Sequence, residues 1–514
     1  MNLLSALKET VRLCGDHSAY VFQGEKTSYK EYFELVTEFA SGLNQMGVKK
    51  GDHVALVLGN SPEFMIGLYG ALKAGATVIP INPNFTPDEI TYIIQNGDVK
   101  AIICLDSLVP LLKKIEQNLS YVNNIIVCPT SEERLSVSSF ELKMKTFLDV
   151  LDAGLNESPD ISINDDDTAV ILYTSGTTGK PKGAMLTHYN LYSNARDVVS
   201  FLQYSKNDKV IGCLPMFHVF CLTVVINASL VCGSTILIST KFNPQEVFQI
   251  SNQYGATVFA GVPTMYNFLL HFEKGNPLDF KNMRLCVSGG ASMPLSLLEK
   301  FEGKFNVKIS EGYGLSEASP VTCFNPLHRP RKAGSIGTTI MNVESKVVNK
   351  FGEEVPVGEI GELIIKGPNV MKGYYKMPDE TKIAIRGGWL YTGDLARMDN
   401  EGYFYIVDRI KDLIIVGGYN VYPREVEEVL YKHSDIVEAV VIGEHDETFG
   451  EVVKAFVVAK KSNLSQEELL MYCKEHLVKY KIPKNIEFLE ELPKNSTGKI
   501  VRRVLRKPII SRNN

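Results

Sequence analysis

The sequence predicts an α/β protein: a large N-terminal domain of stacked, mostly parallel sheets with covering helices, and a small C-terminal α+β domain. Three observations carry this. Short apolar runs alternate with amphipathic ones through most of the chain, the apolar runs are near-continuous, and close to Asp408 the pattern shifts to two strands flanked by helices. At 514 residues with 45% hydrophobic and 22% charged content, the chain can bury a substantial core and has the composition of a globular protein.

The elements follow in order. Ser28-x-x-Glu31 has the form of a capping box, and Tyr32, Leu35, Phe39 and Leu43 follow at helical spacing on one face. A strand is expected at His53–Leu58, a helix at Pro62–Leu72, a strand at Thr77–Ile81, a helix from Pro87 and a strand at Lys100–Cys104. Residues 130–165, rich in Ser, Glu and Asp, read as a surface connection. Beyond them strands are expected at Ala169–Leu172, Val210–Leu214, Thr257–Ala260 and Leu285–Ser288, with helices after Pro244, Pro263 and Pro294, where proline suits a first helical turn. In the C-terminal unit, a helix Arg424–Tyr431 follows Pro423, Val437–Ile442 and Val452–Ala459 are strands, and Ser465-x-x-Glu468 caps another helix.

Several classes are excluded. A net charge of −5 speaks against nucleic acid as a partner, and the nine cysteines never form a Cys-x-x-Cys pair, as expected of small hydrophobes in a reducing cytoplasm. No secretory leader is recognisable at Met1–Lys8. Between Lys209 and Lys241 no formal charge occurs, but a helix from Phe220 to Cys232 would reach only about 20 Å against a hydrocarbon core of about 30 Å. A buried helix, a turn at Gly233 and a strand at Thr235–Ser239 are expected there, and peripheral membrane contact and a homodimer stay open.

The chemistry concentrates in a few motifs. Tyr173-Thr174-Ser175-Gly176-Thr177-Thr178-Gly179-Lys180-Pro181-Lys182-Gly183 combines hydroxyls, glycines and two lysines, a composition suited to cradling phosphates with backbone N–H groups. It is not a GTPase-type P-loop, which needs Gly at Thr174 and Ser or Thr at Pro181. Glu311-Gly312-Tyr313-Gly314-Leu315-Ser316-Glu317 offers an aromatic ring for a flat base and a carboxylate suited to Mg2+, shared with a loop hydroxyl such as Thr174. Ser288-Gly289-Gly290-Ala291 stands at a strand end and can flank the same base. Tyr391-Thr392-Gly393-Asp394 puts a carboxylate on a tight turn, where it can accept from two ribose hydroxyls, with Arg409 as an added donor.

In this order, together with Asp408-Arg409-Ile410-Lys411-Asp412 and Pro493-Lys494-Asn495-Ser496-Thr497-Gly498-Lys499, the segments resemble those of adenylate-forming enzymes. The acyl-CoA synthetase branch is the best match, and the resemblance runs from about Tyr29 to Arg506. It implies ATP and CoA as co-substrates with Mg2+. An adenylating domain over residues 1–408 would carry the ATP and acyl pockets, and a mobile lid over 409–514 would turn on a hinge near Lys411. By the same resemblance Lys499 is the catalytic lysine, Glu317 the magnesium-linked glutamate and Thr174 its partner on the metal. Asp394 and Arg409 contact ribose, Tyr313 stacks on adenine, and Ile406 lies beside the nucleotide. Gly417 and Gly418 flank the path of the CoA thiol, and His218, Val262, Gly290 and Gly314 line the acyl pocket, His218 counting also among the catalytic groups.

The pocket decides the acid. After Phe217 and His218 come Val219, Phe220, Cys221, Leu222 and Thr223, with no acid to pair an amino-acid ammonium and no Arg or Lys for a second carboxylate. An uncharged pocket favours a fatty or aromatic acyl group. Gly388-Trp389-Leu390-Tyr391 and Asn420-Val421-Tyr422-Pro423 resemble the long-chain acyl-CoA ligases, although Cys221 and Leu222 stand where some of these carry a Trp gate. The expected activity is fatty acid–CoA ligation through acyl-AMP. The alternative is an aryl (cinnamate-like) or luciferase-like acid ligase. A non-enzymatic regulator on the same scaffold has no support, since Lys499, Glu317 and Asp394 are all present.

Overall fold

The computed structural model describes residues 1–119, 121–129, 143–155, 161–174, 181–460, 464–495 and 498–506. An eight-stranded sheet runs in the order Gly373–Tyr374, Lys182–Thr187, Thr168–Thr174, Thr77–Pro80, His53–Val57, Val99–Leu105, Asn124–Cys128, Lys143–Thr146. Its members pair in parallel from Thr168–Thr174 onward. Val54 and Leu56 face one core while Ala55 and Val57 face another, so both faces are covered, which is why these strands lack polar alternation.

A nine-stranded sheet holds five parallel ladders joining Ile309–Gly314, Leu285–Ser288, Val258–Gly261, Lys209–Gly212, Thr235–Ile238 and Ser18–Phe22. Val210, Ile211 and Val258 share the larger core with Val54 and Leu56 of the first sheet, so the two sheets stack on a common interior. The helix Tyr29–Gln45 packs one face into that interior. Ser28 Oγ accepts from the Glu31 N–H and Glu31 Oε2 accepts from the Ser28 N–H at 2.7 Å, closing the capping box. Its buried stripe is Tyr32, Val36, Phe39 and Leu43; Val36, not Leu35, completes it, because Leu35 is only partly buried.

Three sequence expectations are corrected. Residues 130–165 are not simply a surface connection: within the described part, Lys143–Thr146 extends the eight-stranded sheet and Phe147–Ala153 is a helix. Phe147 stacks on Phe39 with ring centroids 4.3 Å apart. The buried helix after Phe220 winds as a π-helix over Cys221–Asn227 before becoming α over Ala228–Cys232, and ends at Gly233 with φ +83°. The helix expected after Pro294 forms over Leu295–Phe305, with Pro294 as its N-cap. Asp394 lies not on a turn but inside the strand Trp389–Met398, part of a five-stranded antiparallel sheet spanning residues 344–409. Gly393, at φ +73°, gives that strand its local kink.

The small C-terminal domain is a five-stranded sheet built on the hairpin Ile436–Asp446/Gly450–Ala459, with the helices Pro423–Lys432 and Gln466–His476. Val426, Leu430, Leu469 and Cys473 bury against Val441, Val453 and Ala455, giving it a core of its own. Among the described residues no helix is long and apolar enough to cross a membrane.

Candidate active site

The parallel strands of the second sheet end in the segments singled out by sequence. His218 follows Lys209–Gly212, Val262 follows Val258–Gly261, Gly289–Ala291 follow Leu285–Ser288, and Glu317 lies in the 3-10 turn Ser316–Ala318 after Ile309–Gly314. Open α/β sheets bind ligands at such carboxyl ends. The packing between these loops is close. A Cβ at Gly289 would come within 3.2 Å of the Phe220 ring, and one at Gly290, where φ is +78°, within 3.4 Å of Val262. Gly290 therefore suits the left-handed backbone that this loop requires.

The C-terminal domain reaches into this same place. Gly498 O accepts from Thr264 Oγ1 at 3.3 Å, and a Cβ at Gly498 would stand 3.2 Å from Val262 Cγ2. The next residue is Lys499. Burial, and after it the charge of Arg409, draws the Lys499 ammonium down to about 8, against the pull of Asp394. Burial and the charge of Lys499 bring His218 to about 4, so its imidazole is neutral. His218 Nδ1 accepts from the Phe220 N–H at 3.3 Å, which leaves Nε2 as the protonated nitrogen.

Asp394 is buried and doubly held: Tyr313 Oη donates to Oδ2 at 2.5 Å, and Arg409 Nε lies 3.1 Å from Oδ1. Asp394 and Arg409 are register partners on adjacent antiparallel strands, which places guanidinium and carboxylate side by side. Glu317 Oε1 accepts from Tyr374 Oη at 2.9 Å. The Lys182 ammonium sits 5.4 Å from the Tyr374 ring centroid and pairs with Glu380, while Thr174 Oγ1 donates to Lys182 O at 3.4 Å. Thr174, Lys182, Tyr374 and Glu317 thus form one continuous wall.

Other expected residues fall differently. Ser175, Gly176, Thr177, Thr178, Gly179 and Lys180 lie outside the described residues. Glu311 is 2% exposed and its carboxylate takes the Met293 N–H at 3.0 Å, so its side chain turns into the protein. Gly312 pairs with Phe324 across the sheet, and a Cβ at Gly314 would strike Pro320 O at 2.1 Å, so both close approaches are structural needs. Ile406 O accepts from Arg424 Nη1 at 2.6 Å. Lys411 lies in the turn Ile410–Asp412, and Gly417 and Gly418, with φ +55° and +88°, form an exposed hairpin turn. Sequence reasoning missed Tyr374, Thr264, Glu380 and Arg424. No local pattern marks them, because each acts on a segment far away in the chain.

Residues 7–375 match the family model of the AMP-binding enzymes and residues 425–499 that of the AMP-binding enzyme C-terminal domain. This chain belongs to the AMP-binding enzymes. A long-chain-fatty-acid–CoA ligase of Bacillus subtilis is 40% identical to it over 98% of this chain and 94% of that one. The crystal structure of ATP-bound MatB from Rhodopseudomonas palustris superposes with a TM-score of 0.89 at 32% identity, covering 98% of each chain. The apo crystal structure of the same protein gives 0.79 at the same identity and coverage. Within the AMP-binding family the chain is an AMP-forming acid–CoA ligase.

Proposed function

We propose that the acid is a fatty acid, activated to acyl-AMP and passed to CoA. In the first step a carboxylate oxygen attacks the α-phosphorus of ATP, the bond to the β-phosphate oxygen breaks and pyrophosphate leaves. In the second the CoA sulfur attacks the acyl carbonyl, the thiol proton is lost, the bond to the AMP oxygen breaks and AMP leaves. The observation that carries this reading is the convergence of Lys499 and Arg409, from the small domain, with Asp394 and His218 of the large one, beside the contact of Gly498 O with Thr264 Oγ1. A fatty acyl group is favoured by the uncharged run from His218 through Cys232 and by the name of the Bacillus subtilis relative.

Lys499 bridges the carboxylate and the α-phosphate as charge moves between them. Asp394 and Arg409 hold the ribose, Tyr313 the adenine face, and the backbones of Gly289–Ala291, Glu311, Gly312 and Gly314–Ser316, with Ile406, complete the nucleotide site. Ser175–Lys180 and Lys182 take the phosphates, for which Lys182 exchanges Glu380. The oxygen donors of Glu317 and Thr174, on one wall beside this lysine, fit a hard divalent ion, and Mg2+ held there would neutralise phosphate charge. His218, Val262, Gly290 and Gly314 border the acyl group, with the neutral His218 offering Nε2–H. The lid comprises residues 409–514 and turns near Lys411, bringing Gly417 and Gly418 to the thiol path. The enzyme works in the cytoplasm. Pyrophosphate release across C4–C18 fatty acids and cinnamic acids, with and without CoA, tests the reading; a preference for the cinnamic acids refutes it.

A further inference from the structure

We propose that Arg424 is a positioning residue that latches the C-terminal domain in the pose delivering Lys499, by spanning the hinge and offering its charge to the buried Glu311. The inference rests on the two-step reading above. Arg424 lies in the first turn of the helix Pro423–Lys432 of the small domain, where its Nε stands 4.0 Å from Glu428 Oε1, yet its hydrogen-bond acceptors lie ahead of the hinge. Its Nη1 donates to Ile406 O at 2.6 Å, and its backbone N–H donates to Asp408 Oδ2 at 2.9 Å. Asp408 Oδ1 takes the Arg409 N–H at 2.8 Å, so one buried carboxylate ties both sides of residues 410–412.

A buried carboxylate across the domain boundary also feels the charge of Arg424. Glu311 Oε1 is held by the Met293 N–H, but Oε2 is buried with no hydrogen-bond partner among the described residues. Such an oxygen is costly to bury charged. Of the nearby cations, Arg331 is committed to Glu302, at 2.5 and 3.0 Å. Burial pushes Glu311 up to about 7; the charge of Arg424, whose side chain is only 14% exposed, pulls it back down, while Glu428, on the same helix as Arg424, works the other way. Any turn of the small domain about Lys411 must pull Arg424 from Ile406 O and strand the Glu311 carboxylate. The pose with Lys499 at the site is therefore favoured by two hydrogen bonds across the hinge, and by the charge of Arg424 near Glu311, all of which the other pose gives up.

The test uses the full-length enzyme and two single-turnover assays, pyrophosphate release and acyl-CoA formation from synthetic acyl-AMP. Losing a charge-assisted hydrogen bond of this kind corresponds to about 10- to 100-fold. Arg424→Ala is expected to slow pyrophosphate release by that factor and leave the second assay at or above the parent rate. Arg424→Lys, which restores the charge but not the reach, should recover part of the loss. Glu311→Gln should slow the first assay alone, and combined with Arg424→Ala should cost less than the two separate losses multiplied. Equal loss in both assays, or no loss in the first, overturns the latch; if Arg424→Ala does not fold, the same criteria apply to Arg424→Lys and Glu311→Gln. A parent enzyme without acid-dependent pyrophosphate release overturns the underlying reading instead, and the latch with it.

Discussion

The charge state of Lys499 yields the sharpest prediction. In the free enzyme its ammonium is drawn to about 8 by burial and Arg409, from an ordinary value of 10.5. It is then about nine-tenths charged at pH 7 and about one-tenth charged at pH 9. A lysine that stabilises moving negative charge must be protonated, so the sign is fixed: activity is present below about 8 and lost above it. Because kcat/KM reports the free enzyme, its value for acyl-AMP formation should be level to about pH 7.5 and then fall about tenfold per pH unit. Bound ATP brings negative charge beside the ammonium and raises its pKa, so the corresponding fall in kcat should begin at higher pH. Lys499→Ala should reduce adenylation by about 10²–10³ and abolish the alkaline fall. Lys499→Arg, always charged, should also lose the fall while running slower than the parent. The assay is pyrophosphate release at fixed ionic strength from pH 6 to 9.5. A parent profile flat to the end of that range, or a fall near 8 that survives in Lys499→Ala, refutes the reasoning.

Three further outcomes are expected. Asp394→Ala, which removes the shared partner of Tyr313 and Arg409, should raise KM for ATP while leaving the thermal transition near that of the parent; unchanged ATP affinity in a binding titration would count against the ribose role. Phe39→Ala empties a fully buried site stacked on Phe147 and should cost about 3–5 kcal/mol in urea unfolding, if the large domain unfolds as one unit. Lys411→Pro, by fixing φ at the hinge, should preserve pyrophosphate release and stop acyl-CoA formation from supplied acyl-AMP; parallel loss of both contradicts a hinge there.

What could be read in the sequence follows from how local its cause is. The capping box at Ser28 and Glu31 is written in two residues three apart, and both hydrogen bonds form. The strand Leu285–Ser288 was legible to the residue, because an apolar run between polar neighbours can only be buried. Asp394 was misplaced because Thr-Gly-Asp looks like a turn: Gly393 does take a positive φ, but neighbours on both sides hold it in a sheet. The π-helical wind at Cys221–Asn227 was hidden since every one of its residues is buried, leaving no amphipathic phase to read. Polar sequence around Lys143–Ala153 concealed a strand and helix whose apolar content is only a few residues, Phe147, Val150 and Leu151. At the site, motif order announced the chemistry, whereas Tyr374, Thr264 and Arg424 belong to no motif. Each matters through a partner 57, 234 or 18 positions away.

The cations of the site differ in how they are held before a ligand arrives, and the difference bears on how the two steps are kept in sequence. Lys182 has Glu380, Arg409 has Asp394, and Arg424 has Glu428. Lys499 alone among these has no ion pair among the described residues, and Arg409, Arg502 and Lys411 all repel its charge. Holding it there with only the more distant pull of Asp394 and no ion pair of its own is unfavourable, so the closed pose opposes part of what the Arg424 contacts contribute. ATP supplies the missing negative charge. By linkage, a nucleotide that favours the pose with Lys499 inserted must itself bind better to that pose, and by the same free energy. Once pyrophosphate has left, much of that charge is gone and the repulsion around Lys499 returns. The balance then tips toward withdrawal of the small domain at the stage when CoA needs access to the acyl-AMP carbonyl. On this argument the order of the two half-reactions is set by the phosphate charge in the site, with Arg424 and Glu311 determining how much of that charge is needed to close it.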